Sequence, residues 1–119
     1  MTRRVAAEER GRRGERLAAL WLILKGYRIL ARRVRTPVGE IDLVARKGRL
    51  IAFVEVKARR TPADAALAVT PAAQTRIARA AEAWLSRNAW ASGSALRFDL
   101  VAIMPGRWPR HVRDAWRVA

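Results

Sequence analysis

The sequence predicts an α/β fold in which two helices cover a mixed sheet. Apolar residues recur at helical spacing in two segments, one near the N-terminus and one after residue 70. Between and after these segments lie four runs rich in Val, Ile, Leu and Phe, which favour strands. The predicted order is therefore α-β-β-β-α-β with a C-terminal tail, so the sheet combines a hairpin with a crossover connection.

The first helix is predicted over 11–25 and the first strand over 27–35. Gly26 follows the last helical residue and provides a stop signal. The apolar face of the helix carries Leu17, Leu20, Trp21 and Leu24. This spacing of three and four residues is the signature of an amphipathic helix.

The next two strands are predicted over 40–46 and 49–59, with Lys47-Gly48 as the tight turn between them. Residues 60–69 are predicted to form a connection. Thr70-Pro71 then supplies an N-cap and a proline at the first helical position, so the second helix is predicted over 71–88. A last strand is predicted over 96–104, and the tail fits an edge strand or a short helix equally well.

Length and composition indicate one domain over 1–119, with residues 1–10 flexible. A chain of this size buries roughly two-thirds of the surface exposed when it is unfolded. There is no cysteine, which excludes disulfides and thiolate metal sites. The longest apolar run, Leu17–Leu24, is far shorter than the roughly 20 residues that span a membrane. A cytoplasmic protein is therefore expected.

Charge is the strongest compositional signal. Lys and Arg number 25 against 10 Asp and Glu, which gives a formal net charge of +15. Such an excess is typical of proteins that bind nucleic acid, and arginine matches phosphate geometry with paired hydrogen bonds. The alternative is an arginine-rich surface that reflects a GC-rich coding background.

The predicted hairpin places charged residues inside its apolar strands. A turn at Lys47-Gly48 sets Asp42 opposite Phe53, so that Asp42 and Glu55 become diagonal neighbours. Because side chains alternate along a strand, one face carries Glu40, Asp42, Glu55 and Lys57. Any turn with an even number of residues keeps this arrangement.

Carboxylates that share a face repel one another unless a cation lies between them. Hard oxygen ligands suit Mg²⁺ or Mn²⁺ rather than zinc, and Lys57 would add positive charge beside the ion. The alternative is that Glu55 and Lys57 form an ordinary surface ion pair of little energetic value. Geometry and charge alone do not decide between a metal site and a surface ion pair.

Asp42, followed on the next strand by Glu55 and Lys57, resembles the PD-(D/E)xK nuclease superfamily. Four blocks together resemble the YraN-type family, whose fold is similar to that of Holliday-junction resolvases. These blocks are GERLAALWLILKGYRIL, GEIDLVA, FVEVKAR and LRFDLVAI. The resemblance covers the chain from about residue 11 to the tail and implies a restriction-endonuclease-like core.

The resemblance also implies the site. Asp42 and Glu55 would bind Mg²⁺ or Mn²⁺ with the backbone carbonyl of Val56, and Lys57 would be the catalytic lysine. Two assisting catalytic positions would be Glu15 and Gln74. The implied activity is metal-dependent hydrolysis of DNA, with DNA favoured over RNA and branched or non-duplex DNA as a candidate substrate.

Arginine clusters flank these positions in sequence and are predicted to contact phosphates. They are Arg12, Arg13, Arg33, Arg35, Arg59 and Arg60. A homodimer is expected if the substrate is branched. The alternatives are a nucleic-acid-binding module without catalysis and a basic interaction protein, each retaining the nuclease fold. Asp99, near Arg97 in the last predicted strand, is expected to form a structural hydrogen bond or ion pair rather than to act in catalysis. His111 is expected to have a surface or packing role rather than to act as a general base.

Overall fold

A computed structural model describes residues 2–118 and shows a single five-stranded sheet with helices on both faces. The elements are α1 (Arg3–Leu24), β1 (Arg28–Thr36), β2 (Gly39–Lys47), β3 (Leu50–Ala58), α2 (Pro62–Ala68), α3 (Pro71–Arg87), a 3-10 turn (Ala89–Ala91), β4 (Ala95–Ile103) and β5 (Arg110–Trp116). The strands lie in the order β1-β2-β3-β4-β5, and only β3 and β4 are parallel. The predicted α/β class is confirmed.

Helix α1 begins at Arg3, eight residues before the predicted start at Gly11. The Thr2 hydroxyl accepts a hydrogen bond from the backbone N–H of Val5, which is the standard N-cap arrangement. Ala, Glu and Arg, which fill most of this first part, are strong helix formers. The apolar face alone therefore did not identify the start of the helix, because its first turns have no such face. The flexibility of residues 1–10 remains a prediction, and Met1 lies outside the described residues.

The register between β2 and β3 differs from the predicted one. Lys47 pairs with Leu50, so the two central residues are Gly48 and Arg49 rather than Lys47 and Gly48. Gly48 has a φ of 61°, which a type II′ turn requires at its first central position. The pairing is thereby shifted by two residues, so that Asp42 comes to face Glu55 instead of Phe53.

Residues 60–69 were predicted to form a connection, but they contain the helix α2. The Thr61 hydroxyl accepts a hydrogen bond from the backbone N–H of Asp64, and Pro62 occupies the first turn. Helix α2 buries Ala65 against the sheet. The start of α3 at Pro71 is as predicted, and there the Thr70 hydroxyl accepts from the N–H of Ala73.

The tail forms an edge strand, β5, antiparallel to β4. This resolves the choice between an edge strand and a short helix. Trp116 packs on Phe98 with ring centroids 5.5 Å apart, so the end of the tail closes one of the cores. No helix within residues 2–118 has the length and hydrophobicity needed to cross a membrane.

The two faces of the sheet have separate cores. Under α1, the main contacts are made by Ala18, Ala19, Leu22, Leu43, Val54 and Val101. Under α3, they are made by Ile41, Val44, Ile51, Phe53, Ala80 and Trp84. A third cluster joins α2 to β4 and β5. Alternation along β3 therefore sends even-numbered side chains toward α1 and odd-numbered ones toward α3.

Helix α3 approaches β2 so closely that only glycine fits at position 39. A Cβ on Gly39 would lie 2.8 Å from the carbonyl oxygen of Arg76, and a backbone atom cannot move aside cheaply. We expect Gly39→Ala to lower the free energy of unfolding by about 1–3 kcal/mol. Urea unfolding measures this change.

Gly11→Ala is the matched control, because its Cβ, on an exposed part of α1, would meet nothing within 4 Å in the described part of the chain. It should raise stability by about 0.5–1 kcal/mol. If both substitutions had the same effect, the close approach of α3 to β2 would be contradicted.

Candidate active site

The candidate site lies where β2 and β3 separate. The last ladder pair between them is Leu43 with Val54, so Asp42 and Glu55 are the next residues to face each other. Beyond that pair, the Asp42 carboxylate accepts a hydrogen bond from the backbone N–H of Val56 at 2.8 Å. One carboxylate is thus fixed by the backbone of the strand that carries the other. Both residues are half-buried.

The Asp42 carboxyl group is close enough to Glu55 to change the pKa of Glu55. Burial raises the pKa of Glu55 first, and its hydrogen bond with Asp42 and the negative charge of Asp42 raise it further, to about 9. The charge of Lys57 and the N–H of Val56 act in the opposite direction but do not outweigh these effects. In the absence of a cation, Glu55 therefore carries a proton at neutral pH.

Lys57 lies two residues beyond Glu55 on the same face of β3, and both side chains are half-buried. Its charge acts on Glu55, as the lowering contribution to the pKa of Glu55 shows. The structure therefore brings together Asp42, Glu55 and Lys57. This half-buried setting differs from the exposed ion pair that was the alternative.

Arg33 and Glu15 form an ion pair beside these carboxylates. Arg33 lies in β1 between two residues that pair with Leu43 and Ile41, so it faces Asp42. Its Nε donates a hydrogen bond to Oε2 of Glu15 in α1 at 2.7 Å. This bond, and then the charges of Glu15, Asp42 and Glu40, raise the pKa of Arg33.

The backbone at Arg33 is also unusual. Its φ of 49° is in the left-handed region, which non-glycine residues rarely adopt and which often accompanies functional sites. The sequence predicted Arg33 as a phosphate contact and Glu15 as an assisting residue. It did not predict that the two would pair, because the contact depends on how α1 packs on β1.

Two other acidic or polar candidates have partners of their own. Gln74 donates a hydrogen bond from Nε2 to the carbonyl of Val69 at 3.1 Å. Within residues 2–118 no hydrogen bond joins Gln74 to Asp42 or Glu55. Glu40 is exposed and lies 3.6 Å from Nε of Arg35. The assisting role of Gln74 stays a prediction.

The remaining arginines lie around the end of β3 and along α1. Arg13, Arg59 and Arg60 line an open groove of about 1100 Å³ whose apolar surface includes Leu17 and Leu67. Arg12 lies beside Glu9 and Arg16 on the outer part of α1. Their positions make a basic surface next to Gly14 and Ala58, the sequence neighbours of Glu15 and Lys57.

Most of the chain matches one family of known proteins. The model of the uncharacterised protein family UPF0102 matches residues 14–103. The chain belongs to this family. This result confirms the YraN-type family predicted from the four sequence blocks. The matched range includes every candidate site residue from Glu15 to Gln74.

Three UPF0102 proteins illustrate the similarity. The one from Sinorhizobium medicae is 57% identical over 113 residues, covering 95% of this chain and 93% of the relative. The one from Parvibaculum lavamentivorans is 55% identical over 113 residues, covering 95% and 85%. The one from Maricaulis maris is 52% identical over 117 residues, covering 98% and 92%.

The donor set of this UPF0102 protein fits a hard divalent cation. Within residues 2–118, no three or more His, Cys, Asp or Glu side chains are grouped to hold a metal. The site offers the carboxylates of Asp42 and Glu55, and the resemblance adds the carbonyl of Val56, so all three would be oxygen donors. Mg²⁺ binds through one or two carboxylates and keeps water or substrate phosphates as its other ligands.

Proposed function

We propose that this protein is a divalent-metal-dependent endonuclease that hydrolyses phosphodiester bonds in DNA. The observation that supports this most is the meeting of Asp42 and Glu55 beside Lys57, with a pKa of about 9 at Glu55. Two such carboxyl groups can both ionise at neutral pH only beside a cation. Perturbed carboxylates in this setting are typical of functional sites.

Each residue then has a defined task. Asp42 and Glu55 would hold Mg²⁺ or Mn²⁺ with the Val56 carbonyl, and a bound ion of this kind lowers the pKa of water and steadies charge on phosphate. The N–H of Val56 fixes the Asp42 carboxylate. Lys57 stabilises negative charge that develops on the phosphate. Arg33, whose charge interacts with Asp42, would hold the Glu15 carboxylate through its hydrogen bond.

The basic surface would bind the DNA backbone. The net charge of +15 and the arginines around the site favour phosphate contacts, including those of Arg12, Arg13, Arg35, Arg59 and Arg60. Branched or non-duplex DNA is the proposed substrate. Because one 119-residue domain has little surface for two duplex arms, we propose that two copies act together.

Cleavage assays test the proposal. Labelled single-stranded, duplex, flapped and four-way-junction DNA is incubated with protein in Mn²⁺ or in EDTA. We expect cleavage only with Mn²⁺, and a loss of at least ~100-fold in Glu55→Ala and in Lys57→Ala. Glu40→Ala is the matched control, because this glutamate lies on the same hairpin but is exposed. It should cleave like the wild type.

The same experiment distinguishes the nuclease from the two non-catalytic alternatives. If no DNA is cleaved while all variants bind it equally and in a salt-sensitive way, the nuclease proposal is contradicted and a non-catalytic binding module is supported. Binding of DNA and RNA alike, without regard to strand structure, would instead support a basic interaction protein. Circular dichroism of each variant shows that loss of activity is not loss of fold.

A further inference from the structure

A second group of titratable side chains lies on the opposite face of the sheet, at the end of α1. Asp99 of β4 is in register with Val54, whose side chain packs under α1, whereas Glu55 faces the other way. Asp99 is fully buried, and the side chain of His111 in β5 is only 1% exposed. Lys25, the C-cap residue of α1, is half-buried and reaches this pair from the surface.

Three side chains form a chain of short hydrogen bonds. His111 Nε2 lies 2.7 Å from Oδ2 of Asp99, and His111 Nδ1 lies 2.6 Å from Nζ of Lys25. Because a carboxylate only accepts hydrogen bonds, His111 donates from Nε2. Its Nδ1 then presents a lone pair to the Lys25 amino group. A carboxylate that orients an imidazole, which in turn contacts a nucleophile, is a common arrangement for activating an attacking group.

The Asp99 end of this chain is held firmly. Arg97 donates to both Asp99 oxygens, from Nε and Nη2, each at 2.7 Å. The backbone N–H of Asp114 donates to the same carboxylate at 3.0 Å. Arg97 Nη2 also donates to the Tyr27 hydroxyl at 2.7 Å. The imidazole of His111 is therefore fixed in one orientation, with Nδ1 toward Lys25.

The surroundings of Lys25 favour its neutral amine. Burial lowers the pKa of Lys25, and the charges of Arg113, Lys47 and Arg97 lower it further, whereas the charge of Asp99 raises it. Lys47 is held close, because its Nζ donates to the backbone carbonyl of Lys25 at 2.8 Å. Arg113 and Lys47 are both exposed, so the positive charges that act on the amine are accessible to solvent.

We propose that Lys25 is a reactive lysine, modified by small acyl donors with an anionic leaving group, of which acyl phosphates are the chemical class. The Nζ lone pair forms a bond to the acyl carbon, and the bond from that carbon to the phosphate oxygen breaks. Phosphate leaves with the electron pair. The amine loses one proton to His111 Nδ1, which passes it to water. The product is an N-acyl lysine, and no oxidant or reductant is involved.

The anionic donor follows from the charges outside the amine. Arg113 and Lys47 would bind the phosphate of the donor and leave its carbonyl near Lys25. Acylation converts the basic amine of Lys25 into an amide and breaks its hydrogen bond with the imidazole of His111. Since Lys25 caps α1 and touches β5 through His111, modification would loosen the contact between these two elements.

Acetyl phosphate is the probe that tests the proposal. The chain has three lysines, Lys25, Lys47 and Lys57, and cleavage after glutamate places them in separate peptides, 16–40, 41–55 and 56–82. The folded protein is labelled at pH 7.5, and each peptide is quantified by mass spectrometry. We expect Lys25 to label severalfold faster than the other two, because its pKa is lowered and His111 Nδ1 lies within hydrogen-bond distance of its amine to take the proton.

Two variants separate reactivity from folding. His111→Gln keeps an N–H donor for Asp99 but removes the ring nitrogen that takes the proton, so Lys25 should label like Lys47. Arg113→Gln changes only an exposed side chain, and it should slow labelling by acetyl phosphate more than labelling by the neutral donor N-acetylimidazole. Protein unfolded in urea should label its three lysines alike. Equal labelling in the folded protein, or no effect of either variant, would overturn the proposal.

Discussion

Replacing Glu55 by glutamine is expected to stabilise the metal-free protein at pH 8 and to abolish its stabilisation by Mn²⁺. Burial and the adjacent Asp42 raise the pKa of Glu55 from 4.5 to about 9, so folding at pH 8 requires the uptake of a proton. Glutamine is neutral without that proton. Since each pKa unit is worth about 1.4 kcal/mol, we expect a gain of about 2–4 kcal/mol in the free energy of unfolding.

The pH dependence has a defined sign. A carboxyl group whose pKa is raised by folding contributes its full stability below the unfolded value of 4.5. This contribution is lost as the pH rises from there toward about 9, where the folded group ionises. In EDTA, the wild type should therefore lose stability over this range relative to Glu55→Gln. The two proteins should be closest in stability at pH 4 to 5.

Mn²⁺ should make the wild type more stable than Glu55→Gln. An ion that binds only the folded state stabilises it by mass action, and Glu55→Gln lacks one of the two carboxylates that would hold it. Urea unfolding with Mn²⁺ or EDTA measures both effects, with exposed Glu40→Gln as the matched control. A variant less stable than the wild type in EDTA would contradict the raised pKa. Equal stabilisation of both proteins by Mn²⁺ would contradict the metal site.

The elements of the fold with strong local signals could be predicted from the sequence. Thr70-Pro71 marks the start of α3, and its apolar residues recur on one face as far as Trp84. Thr61-Pro62 is the same signal, yet α2 was missed because the helix has seven residues and buries only Ala65 among its own residues. A cap without an apolar face was not enough to identify a helix.

The register of the hairpin could not be predicted for a different reason. Turns centred on Lys47-Gly48 and on Gly48-Arg49 both contain two residues, so both keep the same side chains on the same face. The alternation pattern therefore places Asp42 and Glu55 on one face but does not decide whether they are diagonal or directly opposite. The structure sets them opposite each other, which brings the carboxyl groups closer.

The parts of both sites that the sequence did not predict depend on contacts between distant segments. Arg33 bonds to Glu15, which is 18 residues away, and His111 joins Lys25, which is 86 residues away. Neither pairing leaves a local pattern, because each forms only when α1 packs on the sheet. The bond predicted between Asp99 and Arg97 is present, and the structure adds bonds from His111 and from the backbone N–H of Asp114.

Asp99→Asn is expected to lower the free energy of unfolding at pH 7 by about 3–5 kcal/mol, because removing one charge from a buried pair leaves its partners uncompensated. Arg97 and His111 both donate to the Asp99 carboxylate and are themselves largely buried. The same carboxylate joins β4 to β5 through the N–H of Asp114. Its loss should therefore weaken the attachment of the whole tail.

Asp114→Asn is the matched control for this prediction. Its carboxylate is exposed, and among residues 2–118 it pairs only with the exposed side chain of Arg117, a type of bond worth about 0–1 kcal/mol. Asparagine also tolerates the φ of 54° at this position. The backbone N–H that bonds to Asp99 is kept, so the substitution removes a carboxylate from the same strand region without touching the buried network.

The pH dependence of stability tests whether the loss in Asp99→Asn comes from the charge of Asp99. Burial raises the pKa of Asp99, but hydrogen bonds from His111, Arg97 and the N–H of Asp114 outweigh it and lower the pKa from 3.8 to about 2. A depressed pKa contributes stability that is present above pH 3.8 and is lost as the pH falls toward 2. The difference between wild type and Asp99→Asn in urea unfolding should therefore narrow only below pH 4. A difference under about 1 kcal/mol at pH 7 would mean that the network contributes no more than a surface ion pair.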